Sequence, residues 1–225
     1  MKFNKIYFLG SFIILIVWAI LFSNSVVDPI VHLKAIHLDE PSLFLAGLSW
    51  YNPVVFGLYF INLFCLYKST IVDSVGISEY KVMELPRYQS VTKYKRVKLI
   101  QTTRIMCEFI TLYLLILAIL VFAVYRKINI EDIIYLITIG TKLLSLGVLF
   151  TCVFIALDDF YTLDLTSILT SMLLLLLAID IFGHATLIVG SSNVSNLIFG
   201  TVYLVISIII VCIDYLKNQK VRELH

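Results

Sequence analysis

The chain has 225 residues, of which 60% are hydrophobic and only 14% are charged, and its mean hydropathy is +0.99. A soluble domain usually carries about 25% charged residues, so this composition excludes an ordinary soluble fold and indicates a polytopic membrane protein. The formal net charge of +2 is too small to predict nucleic acid as a partner.

Six apolar segments are long enough to cross the hydrocarbon core of a bilayer, for which a helix needs about 17–25 residues. They are continuously apolar and lack the two-residue alternation of a membrane β-barrel. The segments are Ile6–Phe22, Leu43–Tyr67, Ile105–Tyr125, Ile133–Leu157, Leu165–Leu187 and Leu197–Ile213. The sequence therefore predicts an all-α, polytopic membrane protein with six transmembrane helices in a single domain, residues 1–225.

The first two segments have features that bear on their boundaries. The first is longer than the apolar core of a usual signal peptide and no clear small-residue cleavage site follows it, so we expect it to be retained. The second contains Pro53, which kinks or breaks a helix and pushes the preceding residue toward an extended conformation. We therefore expect a re-entrant piece over residues 42–52 and a helix that starts at Pro53 and runs past Lys68.

Lysine and arginine are unevenly distributed among the connections. The connection from Lys68 to Arg104 holds eight of them against three acidic residues, and both terminal segments are also basic. The connections on the other side hold few cations, namely Lys34 in the first and Arg126 and Lys127 in the third. Because cations favour the cytoplasmic side, we predict a multi-pass protein of the cell (cytoplasmic) membrane with both termini cytoplasmic.

Residues 76–104 of this basic connection predict two helices separated by a turn. Ile77–Leu85 would form a short helix that Pro86 stops, and Ser90 would cap a basic helix that continues into the third span. Two interpretations stay open: the cations only fix topology and contact anionic membrane lipid, or a mixed aromatic and charged face docks on a partner protein. That face consists of Glu79, Tyr80, Met83, Glu84, Arg87 and Tyr88.

The order of these features resembles a family of transporters. Six spans, a cytoplasmic N-terminus, a long basic connection between spans two and three, and the turn Arg87–Ser90 before a basic helix are similar to the permease subunits of type-2, exporter-class ABC transporters. The similarity is greatest to the small permeases of Gram-positive bacteriocin and peptide export or immunity systems, such as the phenol-soluble modulin exporters. It extends over the whole chain as topology and over about Glu84–Leu99 as residues.

The resemblance implies partners and a mechanism. The connection would carry a coupling helix that lies in a groove of a separate ATP-binding subunit, two copies of which bind ATP and Mg in each assembly. A second permease, identical or paralogous, would complete the path for an amphipathic or hydrophobic peptide. The segment between spans five and six, over about residues 183–196, would dip into the outer leaflet and close an outer gate, although the residues themselves are equally compatible with a plain loop. The gate candidates are Trp50, Asn52, Pro53, Gly183 and Gly190.

The chain itself contains no motif for catalysis or metal binding. It has neither the phosphate-binding loop G-x-x-x-x-G-K-[ST] nor H-E-x-x-H, and its histidines and cysteines do not fall at metal-ligand spacing. We therefore expect no catalytic residue, no metal and no cofactor in this chain, and we expect ATP hydrolysis in the partner subunit.

Three ionisable groups inside the spans are also informative, because charge within a membrane is costly. Glu108 follows Arg104 by four residues, which predicts a local ion pair. Lys142 near the middle of span four and Asp180 in span five would meet if these spans are neighbours. Such a pair would either fix the register of the helices or line the path of a peptide.

The expected function is thus that of a permease subunit in an ATP-driven exporter of amphipathic or hydrophobic peptides. The alternative is a stand-alone membrane protein, either a peptide-immunity protein or a small secondary carrier. An ATP-binding chain should co-purify with the first and not with the second.

Overall fold

The structure, a computed structural model, describes residues 5–23, 53–72, 90–125, 128–157, 165–183 and 192–223, and every regular element in these ranges is helical. The helices are α1 (Lys5–Ser23), α2 (Pro53–Tyr67), α3 (Val91–Tyr125), α4 (Ile130–Leu157), α5 (Leu165–Gly183) and α6 (Asn193–Glu223). A π-helical turn, Lys68–Val72, continues α2. The predicted all-α class is confirmed for this part of the chain.

Three of the described helices contain stretches that are long and apolar enough to cross a membrane. These are Val91–Leu120 in α3, Ile130–Leu157 in α4 and Asn193–Leu216 in α6. The first and third also expose large aliphatic side chains, such as Ile119 and Ile208, which would be unfavourable in water. Length, composition and exposure together indicate a membrane protein.

Helix α2 begins at Pro53 and its helical path continues past Lys68, as the sequence predicts. Proline suits the first turn of a helix because the N–H that it lacks would have no partner there. At the other end, the hydroxyls of Ser69 and Thr70 donate to the carbonyl of Leu66 at 2.9 and 2.8 Å. These side-chain donors share a helix carbonyl with the backbone at the point where the helix becomes π-helical.

Helix α3 joins the basic segment and the third apolar segment without a break. The Oγ atom of Ser90 accepts a hydrogen bond from the backbone N–H of Lys93 at 3.1 Å, so Ser90 is the predicted N-cap. Further along, Nε of Arg104 lies 3.0 Å from Oε1 of Glu108, which confirms the predicted local ion pair.

Helix α4 is the most buried of the three long apolar helices and packs mainly between α6 and α3. Gly140 of α4 faces Leu114 of α3, and Gly147 faces Met106, so the two helices run antiparallel. A Cβ atom on Gly147 would lie 2.5 Å from Cε of Met106, so the absence of a side chain is what permits this close packing.

Helices α1 and α2 form a second antiparallel pair. The side-chain amide of Asn62 in α2 donates to the carbonyl of Ser11 in α1 at 3.0 Å. One end of this pair brings together Tyr7, Lys68 and Thr166: Nζ of Lys68 lies 5.2 Å from the ring centre of Tyr7 and 2.9 Å from Oγ1 of Thr166. The start of α1, the end of α2 and the start of α5 therefore lie at the same end of the bundle.

Tyr67 connects α2 to the centre of α4. It is fully buried, its hydroxyl donates to the carbonyl of Leu143 at 2.8 Å, and its ring meets Phe150 edge-on at 5.3 Å. Gly147 lies against the same ring. A phenol hydroxyl needs a partner when it is buried, and here the backbone of the neighbouring helix supplies one.

Candidate functional site

Helix α4 presents a row of polar side chains to the interior of the bundle. Tyr135, Thr138, Lys142 and Ser145 are all buried, and their spacing of three or four residues places them on one helical face. This face packs against Gly200 of α6, where a Cβ atom would lie 3.5 Å from Cα of Lys142. That distance is an ordinary van der Waals contact, so the two helices cross closely at Gly200 without strictly requiring a glycine.

Helices α4 and α6 run parallel along this contact. The hydroxyl of Thr138 lies 3.0 Å from Oδ1 of Asn193, at the start of α6. About one turn further along both helices, Lys142 meets Asn196. The polar row of α4 is thereby matched by a polar row on α6, and each polar group is removed from solvent by its neighbour.

Lys142 is completely buried at the centre of this contact. Its Nζ atom lies 3.5 Å from Oδ1 of Asn196, which is the long limit of a hydrogen bond, and 5.5 Å from the ring centre of Phe199. The face of an aromatic ring attracts a cation, so α6 offers this ammonium group both an oxygen and a ring.

Asp180 supplies the opposite charge from α5. Its side chain is only 1% exposed, and it interacts electrostatically with both Lys142 and Tyr203. The structure therefore brings Lys142 and Asp180 within electrostatic reach of each other. A buried charge without compensation costs several kcal/mol, roughly, so the opposite charge is what makes the burial of either group tolerable.

The two charges lie on the helices assumed in the sequence interpretation, but those helices pack differently from the assumption. That interpretation relied on close packing between α4 and α5. In the structure α4 packs mainly on α6 and α3, whereas the principal backbone neighbours of α5 are α2 and the π-helical turn. Helix α5 contributes Leu169, Leu173 and Leu177 to the same hydrophobic core.

Two further polar atoms in the site are buried without hydrogen bonds to described residues. Among the described residues, neither the hydroxyl of Tyr135 nor Nδ2 of Asn196 has a hydrogen-bond partner. The two side chains lie near each other without forming a good hydrogen bond. Leaving such a group unpaired costs about 1–3 kcal/mol. We call Tyr135, Lys142, Asp180, Asn196 and Tyr203 the Lys142 cluster.

A second buried ion pair lies toward the start of α3. Nζ of Lys95 is 2.8 Å from Oδ1 of Asp214, and the two side chains are 6% and 17% exposed. The pair ties the basic turns of α3 to the end of the apolar part of α6, while Lys93 and Arg96 on the same turns are exposed. We call this the basic end of the bundle.

Several residues predicted to be functional lie outside the described ranges. The docking face lies there entirely, as do three of the gate candidates and the predicted re-entrant pieces over residues 42–52 and most of 183–196. Of the other gate candidates, Pro53 begins α2 and Gly183 ends α5. The undescribed candidates are Glu79, Tyr80, Met83, Glu84, Arg87 and Tyr88 for docking, and Trp50, Asn52 and Gly190 for the gate.

Sequence reasoning identified the two charges of the Lys142 cluster but missed its uncharged members. Asn196 and Tyr203 are seven residues apart in an apolar helix, with Gly200 between them, so all three share one face. The row of polar residues in an otherwise apolar span could have identified them from the sequence. It is a weaker indication than a charged residue, because tyrosine and asparagine are less costly in a membrane than lysine.

Among the described residues, no group of three or more His, Cys, Asp and Glu side chains is arranged to hold a metal ion. Comparisons of the chain with protein-family models, with curated proteins and with solved structures find no significant match. The resemblance to exporter permeases therefore rests on the order of the apolar segments and on the basic connection.

Proposed function

We propose that the chain is the membrane-embedded permease subunit of an ATP-driven, type-2 ABC exporter that moves amphipathic or hydrophobic peptides out of the cell. The observation that carries the proposal is the continuity of α3, a helix of 35 residues that begins at a capped basic segment and continues into the bundle. A force applied by a partner at the start of this helix would reach the centre of the membrane through one rigid element.

The contacts of α3 support the transmission of such a force to the neighbouring helices. Its basic turns are fixed to α6 by the Lys95–Asp214 pair, and its apolar turns pack on α4 where Leu114 and Met106 face glycines. Close-packed interiors transmit displacement because they have little free volume to absorb it. Movement of α3 would therefore shift α4 and α6 together, and with them the Lys142 cluster that lies between these two helices.

The proposed topology has six transmembrane spans in the cell membrane, with both termini and the segment 76–104 in the cytoplasm. The excess of cations in that segment supports this orientation. Single cysteines at Lys34 and Lys93, in a variant without the four native cysteines, should react with an impermeant maleimide from opposite sides. Labelling of both positions from outside intact cells would contradict the topology.

The proposed partner is an ATP-binding subunit, present in two copies, that docks on the face around Pro86 and binds ATP and Mg. A second permease, identical or paralogous, would complete the assembly. The chain should be purified from its native membrane through an affinity tag, and the mass of the intact assembly measured. An assembly that contains two ATP-binding chains supports the proposal, and a chain that purifies alone contradicts it.

The docking face can be tested by the double variant Glu84→Lys with Arg87→Glu. This exchange leaves the number of cations unchanged, so the orientation signal is preserved. A matched control exchanges the exposed pair on α3, in the variant Arg104→Glu with Glu108→Arg. The first exchange should abolish ATP-dependent peptide uptake into inside-out vesicles, and the control should retain it. Equal transport by both variants would place the docking site elsewhere.

A small secondary carrier is the second candidate, and the Lys142 cluster is the observation that favours it. A buried lysine and aspartate between helices are the groups that carriers use to bind ions or protons. Uptake into the same vesicles separates the two functions. ATP hydrolysis should drive transport by the exporter, whereas an imposed proton or sodium gradient without ATP should drive transport by a carrier.

A further inference from the structure

A cavity of about 490 Å³ lies at the basic end of the bundle, between the first turns of α3, the last turns of α4 and the C-terminal half of α6. Most of its wall is apolar and includes Leu99, Ile155, Ala156 and Ile210. This volume is within the range of ligand pockets, which is roughly 300–1,000 Å³. The cavity is therefore large enough for an apolar chain and too apolar to suit a small polar molecule.

The open side of the cavity lies between α3 and α6. Ile100, Val211 and Tyr215 line it and are all exposed. Exposed aliphatic side chains on these two helices lie on the surface that lipid would cover. An acyl chain of the surrounding bilayer can thus enter from the side without crossing a polar barrier.

One rim of the cavity carries charge. Lys95, Arg96 and Asp214 line it, so the lining has a formal charge of +1 (two cations and one anion). Lys95 is already paired with Asp214 at 2.8 Å, whereas Arg96 is exposed and forms no ion pair with a described acidic residue. The planar guanidinium group of arginine matches the oxygens of a phosphate group, and Thr92 adds a hydroxyl beside it.

The position along the helices places this rim at the level of lipid headgroups. The stretch of α6 that is apolar enough to cross a membrane ends at Leu216, and that of α4 ends at Leu157. The exposed cations of α3 begin at the same level, at Lys93 and Arg96. Cations at this depth face the phosphate groups of the bilayer.

We propose that the cavity is a binding site for one anionic phospholipid, whose phosphate contacts Arg96 and whose acyl chain lies along Leu99, Ile155 and Ala156. The single excess positive charge matches the single negative charge of a phosphodiester headgroup. The proposal requires only that the chain lies in a membrane, and it does not depend on ATP-driven transport. A bound lipid here would stabilise the contact between α3 and α6 beside the Lys95–Asp214 pair.

The test is native mass spectrometry of the full-length chain with phosphatidylglycerol or phosphatidylcholine of identical acyl chains. We expect one phosphatidylglycerol molecule to be retained and to raise the unfolding temperature, with little retention of phosphatidylcholine. Arg96→Gln should weaken phosphatidylglycerol binding about tenfold, as expected for the loss of one charge-assisted contact. Lys93→Gln is the matched control, since Lys93 is exposed nearby but does not line the cavity, and it should change binding less than about twofold.

A second pair of variants tests the apolar part of the cavity. Ala156→Trp would fill it and should reduce retention of phosphatidylglycerol, whereas Ile213→Trp adds the same ring on an exposed position of α6 that does not line it. Circular dichroism and gel filtration check that each variant is folded. If Ala156→Trp does not fold, the comparison of Arg96→Gln with Lys93→Gln decides alone.

Three outcomes would overturn the proposal. Equal losses from Arg96→Gln and Lys93→Gln would show only a diffuse attraction of anionic lipid. Stabilisation by inorganic phosphate as large as that by phosphatidylglycerol, with no effect of Ala156→Trp, would show a phosphate site without a place for lipid. Failure of the folded chain to retain either lipid would show that the cavity does not bind lipid.

Discussion

Two sites in this bundle bring a lysine of one helix near an aspartate of another, and they differ in what surrounds the charges. Lys95 and Asp214 join α3 to α6 through a direct contact of 2.8 Å, beside a cavity and near exposed cations. Lys142 and Asp180 are 0% and 1% exposed and lie in the interior, with Asn196, Phe199 and Tyr203 around them. The first pair has partial access to solvent and the second has none.

The difference indicates what each pair can do. A pair with some access to solvent is screened more by water and salt than a fully buried pair, so solvation compensates more of its loss. Removing one partner of a completely buried pair leaves an unpaired charge, and burying the pair requires the desolvation of both charges. Such a pair is therefore expected where it fixes the register of helices or serves function. The following variants test this contrast, from the largest expected effect to the smallest.

Breaking the interior pair should produce the largest loss of stability. Lys142→Met or Asp180→Asn would leave one buried charge without its partner, at a cost of about 3–5 kcal/mol in the free energy of unfolding. The double variant should recover much of this loss, because two neutral groups can replace a buried pair at little cost. Denaturant titration of the purified chain in mild detergent measures all three.

If the double variant loses as much free energy of unfolding as the two single variants together, Lys142 and Asp180 are not partners. If the double variant recovers, its activity separates two roles. A pair that only fixes register predicts normal peptide export by the double variant, whereas a pair that lines the path predicts a stable protein with impaired export.

Breaking the Lys95–Asp214 pair at the basic end should reduce the free energy of unfolding by a smaller amount. Lys95→Met and Asp214→Asn should each reduce the free energy of unfolding by about 1–2 kcal/mol, between the values for surface and interior pairs. The coupling energy from a double-mutant cycle should fall as salt is raised, because this pair is partly exposed. A coupling as large and as insensitive to salt as that of Lys142 and Asp180 would contradict the contrast.

Two buried tyrosines provide a smaller test of the same idea. Tyr67→Phe removes a hydrogen bond to the carbonyl of Leu143 and should cost about 1 kcal/mol. Tyr135→Phe removes a buried hydroxyl that has no hydrogen-bond partner among the described residues, so it should be neutral or stabilising. Both variants delete one oxygen from a buried phenol, and each is therefore the control for the other. A clear loss from Tyr135→Phe would show that its hydroxyl is used.

Much of this architecture could be predicted because its determinants are local. Continuous apolar runs predicted the helices, Pro53 predicted the start of α2, and Ser90 predicted the start of α3, since a missing N–H and a capping hydroxyl act within one turn. The boundaries of α6 were less accurate, because its polar C-terminal turns continue the helix beyond the predicted end at Ile213 as far as Glu223. An apolar segment marks what lipid covers, whereas a helix ends where its backbone hydrogen bonds end.

The packing could not be predicted in the same way. Lys142 and Asp180 were identified from their charge alone, but the packing of α4 mainly on α6 depends on the fit of whole helix faces, which is visible only in three dimensions. The Lys95–Asp214 pair joins residues 119 positions apart and was not predicted. Single-residue signals therefore locate polar groups in a membrane helix, and complementary helix faces decide which of those groups meet.

The smallest effect is expected where a predicted ion pair is present but exposed. Nε of Arg104 lies 3.0 Å from Oε1 of Glu108, a distance similar to that in the Lys95–Asp214 pair, yet the side chains are 81% and 62% exposed. Both side chains lie on the outer face of the bundle, from which long side chains can extend toward the membrane interface, so Arg104→Gln should shift the unfolding midpoint in detergent only slightly. Lys95→Gln is the matched comparison, because it removes one cation from the same helix and should lower the midpoint. Equal effects of the two variants would show that distance, and not burial, sets the strength of ion pairs in this protein.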